Sequence, residues 1–294
     1  MTAPLLLLSE LRRQMNSEPS SSLSSADRAA ADLRLRELIR SASDVFTQEA
    51  NKRRFDRYYD TRYYTPVSMQ NGGDLTSSIE LTLDADLRAV FTLTNGDEST
   101  ISSDDYTLIP RNRDEKNAVR LTPFGTVQWS LPTDNDPYAS VSIAGLWGWG
   151  GEWVDTGDTV QDDPLTAAAA TMNVTDGDNF EIDMMVRFGT SDASAEYALV
   201  TAINTNVVTL TRGYNGTTAA EHAADTALYY YKADDLVRRQ IVRLVTWTLE
   251  QAKSPMFGQS VVADVQIPTT IDTLPNDVRR VARQLRWPMR VVAV

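Results

Sequence analysis

The sequence predicts an α+β protein: a small helical bundle with short antiparallel strands, plus an all-β domain inserted into it. Three observations lead there. Apolar residues recur at helical spacing near both ends of the 294-residue chain, at Leu35, Leu38, Ile39, Ala42, Phe46 and Ala50, and again at Val237, Ile241, Leu244, Val245, Thr248 and Leu249. Between these stripes, apolar residues alternate in short runs punctuated by Gly, Pro, Asn and Asp. From Thr159 to about Tyr231 almost every apolar position reads as strand, over the length of a small domain. The expected organisation is therefore a helical core of residues 1–158 and 232–294, with residues 159–231 as the inserted β domain.

Composition narrows the chemistry. At 42% hydrophobic the chain can bury a core. It has no cysteine, which excludes disulfides, thiolate catalysis and cysteine metal sites, and a single histidine, His222. A net charge of −12 argues against wrapping nucleic acid, although an acidic wall would let a duplex slide past without sticking. The leucine run Leu5 to Leu8 meets Ser9-Glu10-Leu11-Arg12-Arg13 at once, so it reads as a short amphipathic helix and not as a secretory signal. No stretch approaches the roughly 20 apolar residues of a membrane span. A soluble protein made in the cytoplasm, without membrane contact, is expected.

Residues 16–26 form a polar linker, and Ser24 or Ser25 can cap the helix that follows, with Asp27 in its first turn. The block Arg53 to Tyr64 mixes arginine and aromatics. Such residues can stack on bases, or the aromatics can close the helical core while the charges pair; the acidic total favours the second. Strands are expected around Ile79, Leu81 and Leu83, and around Ala89, Phe91 and Leu93 before the turn Asn95-Gly96. Further strands are expected at Tyr106 and Leu108, at Val119 and Leu121, and at Val141 and Ile143. In the inserted domain Phe180, Ile182, Met184, Val186 and Phe188 alternate most cleanly. Tyr197, Leu199 and Ile203 continue on one parity, Asn204-Thr205-Asn206 turns into Val208 and Leu210, and Ala227 to Tyr231 closes the set. The second amphipathic helix begins at Asp234-Asp235 and is stopped by Pro255 and Gly258. A last short helix, Val278 to Trp287, carries Arg279, Arg280, Arg283 and Arg286, and Pro288 ends it before an apolar tail.

Candidate chemistry is sparse. His222 shares a loop with Asp225, a conceivable His–Asp pair, but no nucleophile elbow or phosphate-cradling loop accompanies it, so a structural or solvated role is expected. Asp134-Asn135-Asp136, Asp162-Asp163 and Asp176-Gly177-Asp178 look like fragments of calcium loops but lack the terminal glutamate, and turn formation explains them more simply. Trp147, Trp149 and Trp153 offer either a surface aromatic patch for sugars or plain core. No enzyme activity, metal or cofactor is expected.

The order of elements over residues 1–158 and 232–294 resembles the head–tail connector (adaptor) family of tailed bacteriophages. The likeness rests on Arg40-Ser41-Ala42-Ser43-Asp44-Val45-Phe46 followed by Asn51-Lys52-Arg53-Arg54-Phe55, on Leu146-Trp147-Gly148-Trp149-Gly150, and on Leu274-Pro275-Asn276-Asp277-Val278. The insertion is the departure; its run from Glu196 to Ala223 is similar to small β modules of phage virion proteins. The resemblance implies a structural virion protein of the neck: a ring of about twelve copies beneath the portal protein, bridging to a stopper or tail terminator, with double-stranded DNA passing through unread. It suggests portal binding through Arg279, Arg280, Arg283, Arg286, Arg290, Val291, Val292 and Val294, the tail adding a strand to a sheet edge. Subunits would pack through Leu35, Leu38, Ile39, Phe46, Ile241, Leu244, Val245 and Leu249. The rival expectation is a carbohydrate-binding or other surface-binding virion module.

Overall fold

The structure is a computed structural model and describes residues 3–16, 24–66, 79–123, 125–134, 136, 138–192, 195–252 and 274–286. It corrects the expected fold class. The protein is predominantly β, with two antiparallel sheets of five and six strands; four helices occur among the described residues, and there is no small helical bundle. Contacts divide the chain into two units, one of Met1–Asp56, Gly150–Thr190 and Ala195–Val294, the other of Arg57–Trp149 with Ser191–Ser194. That division differs from the expected boundaries at 158 and 232.

The second unit is built on a sheet of order β1-β5-β2-β4-β3: β1 (Tyr58–Tyr64), β2 (Glu80–Thr94), β3 (Tyr106–Ile109), β4 (Lys116–Leu121) and β5 (Val141–Trp147). The arginine–aromatic block divides: Phe55 closes on Phe46 of the preceding helix, ring centroids 5.5 Å apart, as expected, but the tyrosines belong to this sheet. From Tyr58 onward it is an edge strand, pairing Tyr58 with Trp147 and Tyr64 with Val141, and both tyrosines join the core. The two expected runs at 79–83 and 89–93 are one strand. A register shift between Val90 and Thr92 leaves Phe91 exposed, while Leu93 turns inward beside Leu81, Leu83 and Leu87. Trp147 is fully buried and its indole N–H donates to the Asp60 carbonyl at 3.0 Å. Gly145 lies so close to β2 that a Cβ would stand 2.5 Å from the Ala89 carbonyl oxygen.

The first unit joins the helices to a sheet of order β6-β11-β8-β9-β10-β7: β6 (Glu152–Thr159), β7 (Thr171–Asn173), β8 (Met185–Phe188), β9 (Tyr197–Asn204), β10 (Val207–Thr211) and β11 (Ala227–Lys232). The sheet thus starts before residue 159, because β6 pairs with β11. Phe180, Met184, Val186 and Phe188 do share one core, but only Met185–Phe188 is strand; a 3-10 turn at Gly177–Asn179 and a positive φ of 76° at Asp183 interrupt the rest. On β9 the parity that enters this core is Ala198 and Val200, while Tyr197 packs on Trp153 from β6 at 4.9 Å.

The helices are α1 (Leu8–Met15), α2 (Ser25–Glu49), α3 (Asp235–Ala252) and α4 (Asn276–Gln284). α1 has no side-chain cap of its own; the Ser9 N–H donates to the Glu181 carboxylate at 3.0 Å instead. Ser24 caps α2 by accepting from the Asp27 N–H at 3.1 Å, as expected. Leu38, Ile39, Ala42 and Phe46 of α2, and Val237, Ile241, Leu244 and Val245 of α3, are buried where the two helices pack together. α4 buries Val278 and Ala282 against both. Among the described residues no helix is long and apolar enough to cross a membrane.

Candidate functional site

Two constellations of charge stand out in the first unit. One is closed. Glu196, just ahead of β9, is buried and receives five donors on its two oxygens. Oε1 accepts from the Arg212 Nε and from the Gly213 N–H at 3.2 Å; Oε2 accepts from Arg212 Nη2 at 2.7 Å and the Ala220 N–H at 2.9 Å, and lies 2.9 Å from His222 Nε2. Burial alone would raise the Glu196 pKa, but the hydrogen bonds from Arg212, His222 and Ala220 outweigh it and hold the carboxyl at about 2. His222 is stacked on Phe188, with ring centroids 4.2 Å apart and planes within 6°. Its partner is Glu196, in keeping with the structural role expected for it, and not Asp225, whose N–H donates to the Val160 carbonyl. A carboxylate held ionised with its lone pairs engaged is suited to pinning a loop.

The pinned loop is Arg212–Thr217. Its left-handed backbone at Gly213, Asn215 and Gly216 explains the choice of Gly and Asn there. Asn215 donates to Asp56 at 2.9 Å and accepts from Arg54 at 3.2 Å, while Arg54 grips Asp56 with two bonds of 2.9 and 2.6 Å. The loop thus ties the sheet to the segment that follows α2. Burial, with the charge of Asp56 adding, pushes the neighbouring Tyr214 hydroxyl up to about 12.

The other constellation is open. The segment from Asn276 to Arg286 holds four arginines and one acid, Asp277, which pairs with Arg243 at 3.2 Å. Arg283 and Arg286 converge on Glu49 at the end of α2, at 3.3 and 3.0 Å, and Arg286 also donates to the Glu49 carbonyl at 2.8 Å. A buried carboxylate at a helix C-terminus faces the negative end of the helix dipole, so these two cations offset that cost. Arg53 returns the contact by donating to the Leu285 carbonyl at 2.9 Å, at the end of α4. Arg280 is exposed and makes no ion pair among the described residues, and Arg279 keeps its Nε and Nη2 enclosed without an acceptor. Asn276, Arg279, Arg280, Arg283 and Gln284 line a shallow depression of about 380 Å³.

The remaining candidates are placed as follows. Arg290, Val291, Val292 and Val294 lie outside the described residues, as do Pro255 and Gly258. Of the expected subunit-packing residues, Leu38, Ile39, Phe46, Ile241, Leu244 and Val245 are buried inside the chain, and Leu35 and Leu249 are half-buried. The three tryptophans make no common surface patch: Trp147 is core, Trp149 belongs to the same unit, and Trp153 belongs to the other, wedged against Tyr197 and Tyr231 under the Arg187 guanidinium. Two of the aspartates make turn bonds, Asp134 accepting from the Asp136 N–H and Asp176 from the Asp178 N–H, while Asp162 accepts from the Asn173 N–H and ties two segments together. Sequence reasoning missed Glu196, Arg212 and Glu49, whose partners lie far along the chain. It also missed Asp158, which accepts three backbone N–H groups from Thr159, Thr175 and Asp176. No protein-family model matches the chain, and no curated protein matches it.

Proposed function

We propose that the chain is a structural subunit of a phage virion, a head–tail connector that forms a ring under the portal, links capsid to tail and lets DNA pass. The observation that carries this reading is the arginine face of α4, an under-neutralised cationic surface on a chain of net charge −12. It falls in the segment that resembles the connector pattern at Leu274-Pro275-Asn276-Asp277-Val278. The buried stripes of α2 and α3 are used within the chain, so neighbouring copies would meet elsewhere. The end strands β1, β3, β6 and β7, each paired on one side only among the described strands, are surfaces that suit lateral pairing. An acidic body suits a channel through which a duplex moves without adhering.

The sugar-binding alternative draws on Trp147, Trp149 and Trp153 with Tyr229 to Tyr231, and the core position of Trp147 takes one of those aromatics off the surface. Electron microscopy of the purified chain with a candidate portal protein tests the connector reading. Ring-shaped density of the chain on one end of the portal is expected; absence of the chain from assembled particles would overturn it.

A further inference from the structure

We infer that the arginine face of α4 recognises carboxylates and docks an acidic segment of a partner protein, with Arg279 and Arg280 making the contact while Arg283 and Arg286 hold the helix in place. The inference deepens the connector reading, which it needs only for the partner's identity.

The division of labour follows from the bonds. Arg283 and Arg286 share the one buried carboxylate of Glu49, and Arg286 closes the α2 carbonyl end as well. Removing either loosens α4. Arg279 and Arg280 do nothing comparable for the fold. Arg280 stands in solvent, and Arg279 has two guanidinium nitrogens shut away from water without an acceptor. Leaving a buried charged donor unmet is unfavourable, so an incoming acceptor relieves it. The Arg279 side chain borders the depression, so a rotation toward an incoming oxyanion would meet those donors.

The site is built for a planar oxyanion. Among the described residues its rim carries three guanidinium groups and the amides of Asn276 and Gln284, and no carboxylate. Guanidinium forks match carboxylates with two parallel bonds. Phosphate satisfies the same forks, but size and surroundings favour protein. α4 has nine residues and is about 13 Å long, one helix wide. A duplex carries a charge about every 1.7 Å along its axis and would press many more phosphates onto an acidic chain. A segment with a few carboxylates matches the patch without that repulsion.

The full-length chain is titrated into a short fluorescein-labelled poly-glutamate peptide and, separately, a labelled DNA duplex of equal charge, with anisotropy as readout. Arg279→Gln/Arg280→Gln is compared with Arg111→Gln/Arg113→Gln, the same charge change on the exposed loop between β3 and β4. The α4 variant should lose peptide affinity by about tenfold or more, and the loop variant less than about twofold. Arg280→Gln alone, at an exposed position, should retain the melting temperature and still lose affinity. Absence of peptide binding by the wild type, equal losses in both double variants, or tighter α4-dependent binding of the duplex would each overturn the inference. Portal assembly is scored separately. A wild type that binds no peptide yet assembles on the portal sinks the inference and spares the connector reading; α4-dependent peptide binding without any assembly does the reverse.

Discussion

Arg212 and Arg279 are both drawn away from water within the same unit, yet all five N–H groups of Arg212 have acceptors while Arg279 has two nitrogens with none. Arg212 reaches Glu196 twice and the carbonyls of Thr166, Ala169 and Ala220. Those carbonyls lie in loops outside the ladders and can accept from Arg212, that of Thr166 in addition to the Ala169 N–H. Arg279 sits on a helix, where interior carbonyls already accept from the residue four positions on. An arginine on such a face must find a side chain or a partner. The same residue type is thus a staple beside loops and a recognition group on a helix, and the supply of acceptors decides which.

The sharpest way to break this comparison is to take the acceptor from the closed side. Glu196→Gln leaves Arg212 buried without its countercharge and should cost about 3–5 kcal/mol, measured by denaturant unfolding. A cost under about 1 kcal/mol would mean the clasp is not a staple. Acid should act on the same contact. The folded pKa of about 2 lies below the ordinary 4.5, so the stabilisation is complete above pH 4.5 and is lost as pH falls from there toward 2. Glu196→Gln should flatten that arm of the stability–pH curve.

A smaller effect is expected where the open side is anchored. Glu49→Gln removes the carboxylate that gathers Arg283 and Arg286, whose side chains are 54% and 41% exposed. Solvent screening limits the loss to about 1–2 kcal/mol, even though the Glu49 side chain itself is 1% exposed. Hydrogen exchange should show the amides of α4 losing protection while those of β9 and β10 keep theirs. Equal loss in both would mean that α4 and the sheet open as one cooperative block.

Much of the helical framework could be read from the chain because its signal is summed over several turns: Ser24 as cap, then Leu38, Ile39, Ala42 and Phe46, and later Val237, Ile241, Leu244 and Val245. The hairpin between β9 and β10 was also legible, since Asn204-Thr205-Asn206 supplies the residues a tight turn needs, with Thr205 at a φ of 52°. Register was not. Nothing in Ala89, Phe91 and Leu93 announces that two register shifts turn the core face from Leu87 to Val90 and then to Leu93, because bulges are settled by the neighbouring strand. The edge strand Tyr58–Tyr64 sets aromatics in adjacent pairs around Asp60-Thr61-Arg62, so it shows no period of two. The closed site could not be read because its members stand 16 and 26 residues apart in loops that obey no spacing rule. On α4 the charge was plain, but telling anchors from free groups required Glu49, 234 residues from Arg283.

The smallest expected change is the most discriminating. Arg280→Gln removes an exposed cation that has no partner in the described structure, so stability should stay within about 0.5 kcal/mol of wild type. The same substitution at Arg212 would strip a buried staple from Glu196 and destabilise strongly. If Arg280→Gln instead lowered the melting temperature as much as Glu49→Gln does, the arginine would be acting inside the fold, and the contrast between a filled and an unfilled guanidinium would collapse. A neutral result leaves a charge that the fold does not use, held on a helix that two other arginines fasten in place; such a charge is available to a partner.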